Sequence, residues 1–249
     1  MLSARVSIET KLRMTLQHVD MLFQLIVFLF AISVHESAHA WMANRCGDPT
    51  ARMLGRITLN PIKHIDPFGT VLLPVVAMLT GIPVLGWAKP TPVDPRNFSN
   101  PVRDDILTSV VGPISNFVIA SAAVAFLLVM AVMSHVARAI IHLIPFVYPE
   151  RLQVLTAQTN SIFMPLSLLF YELMVINVLL GVFNLIPVPP LDGSHVLRHV
   201  LPPSARRAYD TVGWLGLLAL IYLGGGLLWR VISPVLGLFN SVLISATSS

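Results

Sequence analysis

His35, Glu36 and His39 stand in the pattern H-E-x-x-H. On a helix turning about 100° per residue, the two histidines fall one turn apart on one face, separated by only about 40°. Two imidazole nitrogens can then grip one zinc ion. Glu36, offset round the helix, can reach a bound water and take its proton as that water attacks a carbonyl. The pattern is flanked by Val34, Ala40 and Trp41 in an apolar stretch. An unpaired charged Glu inside a bilayer costs at least about 2.5 to 3.5 kcal/mol and is retained mainly for function. That penalty weighs against a chance pentapeptide whose histidines only hydrogen-bond in a bundle core.

A catalytic zinc site keeps three protein ligands and one open position, so the pattern leaves one ligand to find. The extended form H-E-x-x-H-x-x-G-x-x-H fails here, with Met42 in place of its glycine and Arg45 in place of its third histidine. The other acids within apolar stretches are Glu172 and Asp192. Glu172 has no ligand partner around it in sequence and reads as a buried hydrogen-bonding group or a lipid-boundary residue. Asp192 follows Pro187, Pro189 and Pro190, which end a long apolar run, and precedes Gly193, which permits a sharp turn. Its carboxylate can be carried back toward the first span, or it can cap a helix starting near Ser194.

The elements that must position these groups are set by composition. The chain has 249 residues, of which 55% are hydrophobic and 11% charged, with a mean hydropathy of +0.77. That is too little polar surface to coat a soluble globule of this size, so the sequence reads as an integral, multi-pass protein of the cell membrane. Cys46 is the only cysteine, which excludes an internal disulfide framework. The net charge of +4 rests on 16 scattered Lys and Arg residues, so nucleic acid is not an expected partner. The basic residues divide almost evenly between alternate loops and set no orientation.

A bilayer core of about 30 Å needs roughly 20 helical residues. Charge-free stretches predict spans near 21–43, 67–86, 106–134, 162–187, 211–229 and 231–246, after an amphipathic lead-in over 1–20 that lacks the order of a signal peptide. The expected fold is an all-α polytopic membrane protein. It has about five to six transmembrane helices and short extended or β segments between the early spans. Thr50–Asp66 and the proline-rich Trp87–Pro101 suit extended or turn structure, and 135–151 suits a short interfacial helix. With no repeat and no separate soluble segment, residues 1–249 read as a single membrane-embedded domain.

These residues resemble the site-2 proteases, zinc metalloproteases that cut substrates inside the membrane. H-E-S-A-H at 35–39 resembles the family's first zinc motif, and Asn184 to Gly193 resembles its N-x-x-P-x-x-x-L-D-G element. Gly112-Pro113-Ile114-Ser115-Asn116 resembles its G-P-x-x-N element, and Leu59-Asn60-Pro61 with Asp66-Pro67 resembles the extended region after the first motif. The resemblance covers most of residues 30–195. It implies one zinc per chain held by His35, His39 and Asp192, with Glu36 as the base and Asn116 or Asn184 near substrate or the developing oxyanion. Read from the residues alone, Asn116 sits beside a Gly-Pro kink and Asn184 near a helix end, both closer to a supporting than to a catalytic role. His195 reads as a polar surface or supporting histidine, and His64 and His199 as loop residues. The chain has no segment long enough for a PDZ or CBS domain.

The chemistry implied is hydrolysis of a peptide bond in or near a transmembrane segment of a membrane-protein substrate. A helical substrate must unwind first, because its carbonyls are already bonded. The stretch 81–97 is a candidate edge for clamping an extended substrate. Two other classes compete. A divalent-metal transporter distributes its ligands along a path instead of converging them beside a base. A non-catalytic membrane scaffold would be expected to have lost Glu36 or a ligand.

Overall fold

The computed structural model describes residues 2–73, 76, 87–148 and 161–248. Among them the regular structure is helical: α1 (Leu2–Arg45), α2 (Thr50–Met53), α3 (Pro101–Met133), α4 (His135–Val147), α5 (Phe163–Asn184), α6 (Gly193–Val200), α7 (Pro203–Tyr222) and α8 (Gly225–Thr247). Short 3₁₀ turns at Pro61–Lys63 and Pro95–Asn97 and a π turn at Pro67–Leu72 punctuate the stretch between α2 and α3. Each begins with a proline, which removes an N–H the first turn cannot use. No strand occurs among the described residues, and the stretch 87–94 carries no regular secondary structure.

Four helical stretches are long and apolar enough to cross a membrane: Phe23–Arg45, Pro101–Met133, Phe163–Asn184 and Gly225–Thr247. Their outer faces expose large apolar side chains, among them Phe30, Val118, Val129 and Leu238, as expected of surfaces that meet acyl chains. The expected span at 67–86 lies largely outside the described residues. At the C-terminal end the helix break falls at Leu223 and Gly224, not at Arg230. Arg206, Arg207 and Asp210 occupy the first half of α7, which leaves its charge-free part short for a bilayer.

The chain divides into two compact units, and each of the four long helices contributes residues to both. The first comprises Met1–Phe28, Ile119–Asn177 and Pro234–Ser249. Its core includes Leu127, Ile141, Ile144, Met174 and Leu243. The rings of Phe126 and Phe170 stack at 3.9 Å, and Tyr171 donates to Asn240 Oδ1 at 3.1 Å. Ser134 caps α4 by accepting from Ala137 N–H.

The second unit, Leu29–Val118 and Val178–Ser233, carries every residue of the H-E-x-x-H and L-D-G elements. Here α1 ends in a Schellman turn: Asp48 N–H reaches Ala43 O at 2.9 Å and Gly47 N–H reaches Asn44 O at 3.4 Å. Gly47 has φ 107° and a Cβ there would lie 2.8 Å from Asn97 O, so both conformation and space require glycine. The buried Asp48 then fastens the loop before α3. It accepts from Thr50 N–H (3.1 Å) and the Thr50 hydroxyl, and from Asp94 N–H (2.7 Å) and Asn97 Nδ2 (2.9 Å). Ala43, Cys46 and Phe98 form the small apolar cluster beneath this tie.

Candidate metal centre

The apolar helix α1 presents His35 and His39 on one face, as the i, i+4 spacing requires, and both are buried. Their Nε2 atoms lie 3.0 Å apart. α5 stops at Asn184 before the run of prolines, and the chain turns through Leu191 into α6. Asp192 occupies the N-cap position of α6 but makes no capping hydrogen bond. Its Oδ2 instead lies 3.2 Å from His35 Nε2 and 3.4 Å from His39 Nε2. The capping role open at the level of sequence is therefore not taken.

The protonation of this trio follows from its other bonds. His35 Nδ1 lies 2.6 Å from Asn116 Oδ1, and His39 Nδ1 lies 2.6 Å from the Thr108 carbonyl. Both partners are acceptors, so each Nδ1 carries the proton and each Nε2 presents a lone pair. Asp192 Oδ2 is buried and has no hydrogen bond of its own among the described residues. With both imidazoles neutral, three lone-pair atoms converge, an arrangement that is repulsive unless a proton or a metal ion sits among them. All lie within 4.8 Å of one another. Two imidazoles and a carboxylate, each histidine oriented by an acceptor on its far nitrogen, fit the donor set of zinc.

The backbone is shaped around these groups. α3 passes against the imidazoles at Gly112, where a Cβ would lie 2.3 Å from His39 Nε2 and 2.7 Å from His35 Cε1. The adjacent Pro113 has no N–H to bond Ser109 O, the carbonyl next to the Thr108 carbonyl that meets His39. The Gly-Pro pair and Asn116 therefore act as one device: close approach and an amide acceptor. Gly193 performs a similar service for Asp192, since a Cβ there would lie 2.2 Å from Leu185 O. Behind this turn, Tyr209 on α7 donates to Pro187 O at 3.0 Å, and Gly213 leaves room for the Pro189 ring.

Glu36 is half-buried on the adjacent face of α1. Thr91 holds one of its oxygens, Oε2, through its N–H at 2.8 Å and its hydroxyl at 2.6 Å. Asp105, buried on α3, accepts from His199 Nε2 at 2.7 Å and meets His195 Nδ1 at 3.2 Å, which ties α6 to α3 three residues beyond Asp192. The Asp105 contact also lifts the His195 pKa, against the opposing effect of burial.

Of the residues singled out in sequence, His35, His39 and Asp192 are brought together and Asn116 joins them through His35. Asn184 is not brought to this cluster by any bond of its side chain, which donates to Leu180 O one turn back at 3.0 Å. Glu172 is fully buried in the other unit. His64 lies in the turn after Pro61–Lys63, and there it is buried and bonded to Thr58 O at 2.9 Å. His199 belongs to α6. Thr91, Thr108 and Asp105 were missed. A backbone carbonyl carries no residue signature, and Thr91 stands 55 positions from Glu36 in a proline-rich run. The i, i+4 spacing of His195 and His199 was the one available hint of Asp105.

Residues 23–223 match Peptidase family M50, and the chain belongs to that family, the site-2 proteases whose motifs it carries. It is 33% identical over 229 residues to "Putative zinc metalloprotease YwhC" of Bacillus subtilis, covering 88% of this chain and 92% of that protein. It is 28% identical over 201 residues to "Putative zinc metalloprotease Rip2" of Mycolicibacterium smegmatis, covering 79% of this chain and 64% of that protein. No solved structure matches. The protein is thus an integral membrane protein of a zinc metalloprotease family.

Proposed function

We propose that the protein hydrolyses a peptide bond in or near a transmembrane segment of a membrane-protein substrate. In this reading His35, His39 and Asp192 hold one zinc ion and Glu36 is the general base. The observation that carries it is the convergence of three potential ligand atoms, one of them a buried carboxylate oxygen with no hydrogen bond of its own among the described residues. Zinc bound there would polarise the scissile carbonyl and bring the pKa of a water to about 7. Glu36 Oε2 is occupied by Thr91, and Oε1 carries no hydrogen bond among the described residues. Oε1 is the atom that accepts the proton of the attacking water and returns it to the leaving amine. Asn116 and the Thr108 carbonyl fix the imidazole tautomers, and Asp105 steadies α6 and with it Asp192.

A substrate helix must unwind to present a carbonyl, because its backbone groups are paired within the bilayer. Asn116 serves as a support for His35, and Asn184 belongs to its own helix turn. We further propose that residues 1–249 act as a single domain of five crossings, with the stretch near 67–86 adding to the four long helices. Scanning accessibility of single cysteines in sealed vesicles tests that number.

The test of function is cleavage of a transmembrane reporter by wild type and Glu36→Gln, with zinc measured in both. The reading expects no cleavage by the variant with zinc retained. Turnover within about tenfold of wild type would remove the base assignment, since positioned proton transfer contributes roughly 10² to 10⁴-fold.

A further inference from the structure

Thr91 makes a set of contacts that a connecting loop does not require. Its N–H and its hydroxyl converge on a single oxygen of Glu36, at 2.8 and 2.6 Å. The hydroxyl also lies 3.0 Å from the Glu36 carbonyl oxygen, but its one proton goes to the closer, charged acceptor. Among the described residues, Glu36 thereby has one oxygen held by two donors and one without a hydrogen bond.

The backbone that delivers these donors is unusually constrained. Thr91 lies between Pro90 and Pro92, so its own conformation and that of Lys89 are pushed to the extended region by the proline that follows each. Lys89 N–H bonds His64 O at 2.9 Å, and the Arg56 guanidinium donates to Lys89 O. Arg56 and His64 are both buried, which anchors the stretch to the body of its unit. The Thr91 N–H is therefore presented in a fixed position before any substrate arrives.

We propose that Thr91 is a positioning residue for the general base: it clamps Glu36 Oε2 so that Oε1 alone faces the reacting water. This rests on Glu36 being that base. A glutamate has three rotatable bonds, and a proton transfer requires its oxygen within about 2.6 to 3.2 Å of the proton donor. Two donors on one oxygen remove the torsional freedom that would otherwise spread the carboxylate over several orientations. A serine at 91 can make both bonds; valine, of nearly the same shape as threonine, keeps the N–H but loses the hydroxyl.

The test compares wild type, Thr91→Val, Thr91→Ser and Glu36→Gln on one transmembrane reporter, measuring kcat, KM, zinc per chain and helical content. Thr91→Val is expected to lower kcat by about 10- to 100-fold, the value of one lost charge-assisted hydrogen bond in the transition state. KM should stay within about twofold and zinc should be retained. Thr91→Ser should recover most of kcat, which a role in packing the threonine methyl group would not allow. Wild-type kcat in Thr91→Val, an equal loss in Thr91→Ser, or loss of zinc or helix in Thr91→Val would each overturn the proposal. Failure of the base reading itself is separable, because it appears as turnover in Glu36→Gln whatever the Thr91 variants do.

Discussion

The tightest point of the site is Gly112, and adding one methyl group there is the sharpest perturbation available. In Gly112→Ala the new Cβ would lie 2.3 Å from His39 Nε2, 2.6 Å from His39 Cε1 and 2.7 Å from His35 Cε1. Ordinary contact begins near 3.5 Å, so the His39 ring must retreat by more than about 1 Å or α3 must withdraw. Zinc–nitrogen bonds tolerate only about 0.2 Å around 2.0 to 2.1 Å, so retreat of the ring breaks the ligand set. Withdrawal of α3 instead costs about 1 to 3 kcal/mol of overpacking strain and pulls Thr108 and Asn116 from the imidazoles. Either route predicts more than a tenfold fall in zinc affinity, read by metal analysis at buffered free zinc, with helical content preserved. Gly181→Ala is the control: its Cβ would lie 3.1 Å from the Phe117 ring, a contact that a small ring shift relieves. Near-stoichiometric zinc and wild-type cleavage in Gly112→Ala would refute the packing argument.

Asn116→Ala removes the acceptor that fixes His35, and a loss of roughly 10- to 100-fold in zinc affinity is expected by competition with a chelator. Asp105→Ala frees His195 and His199 and is expected to weaken zinc binding several-fold while leaving the ligands in place. Unchanged affinity would show that α6 needs no such tie. Asp48→Ala leaves Asp94 N–H and Asn97 without their acceptor and should lower stability by about 2 kcal/mol in thermal unfolding. Burial raises the Asp48 pKa, but the bonds from Thr50, Asp94 and Asn97 outweigh it and hold it below the usual carboxylate range. Its contribution is thus complete above about pH 3.9 and lost as pH falls through the depressed value. The gap between wild type and Asp48→Ala should therefore be constant from neutral pH to about pH 5 and close only in stronger acid.

The H-E-x-x-H pattern was legible because helix periodicity alone puts His35 and His39 on one face, and Asp192 because three prolines and a glycine announce a turn. The Gly112–Pro113–Asn116 element was legible as a motif but not as a device, since the closeness of α3 to the imidazoles is a property of packing. Asn184 shows the reverse: a motif residue whose amide bonds its own helix. Thr91, Asp105 and the Thr108 carbonyl were hidden for a common reason. Each acts across a large sequence separation, and neither composition nor period marks a residue whose partner lies 55 to 94 positions away. The helix break at Gly224 was misplaced to Arg230 because charge counting ignores glycine, whose conformational freedom ends a helix as effectively as a charge ends a span.

The most direct measurement is zinc K-edge X-ray absorption of the purified, zinc-loaded protein, compared with His39→Ala and Asp192→Ala. The expected spectrum shows nitrogen and oxygen scatterers at about 2.0 to 2.2 Å, with the outer-shell signature of two imidazoles and no sulfur. His39→Ala should lose zinc or drop to one imidazole, and Asp192→Ala should lose zinc or gain a solvent oxygen. A sulfur scatterer near 2.3 Å, which would implicate Cys46, or two imidazoles persisting in His39→Ala, would contradict the assignment of this site.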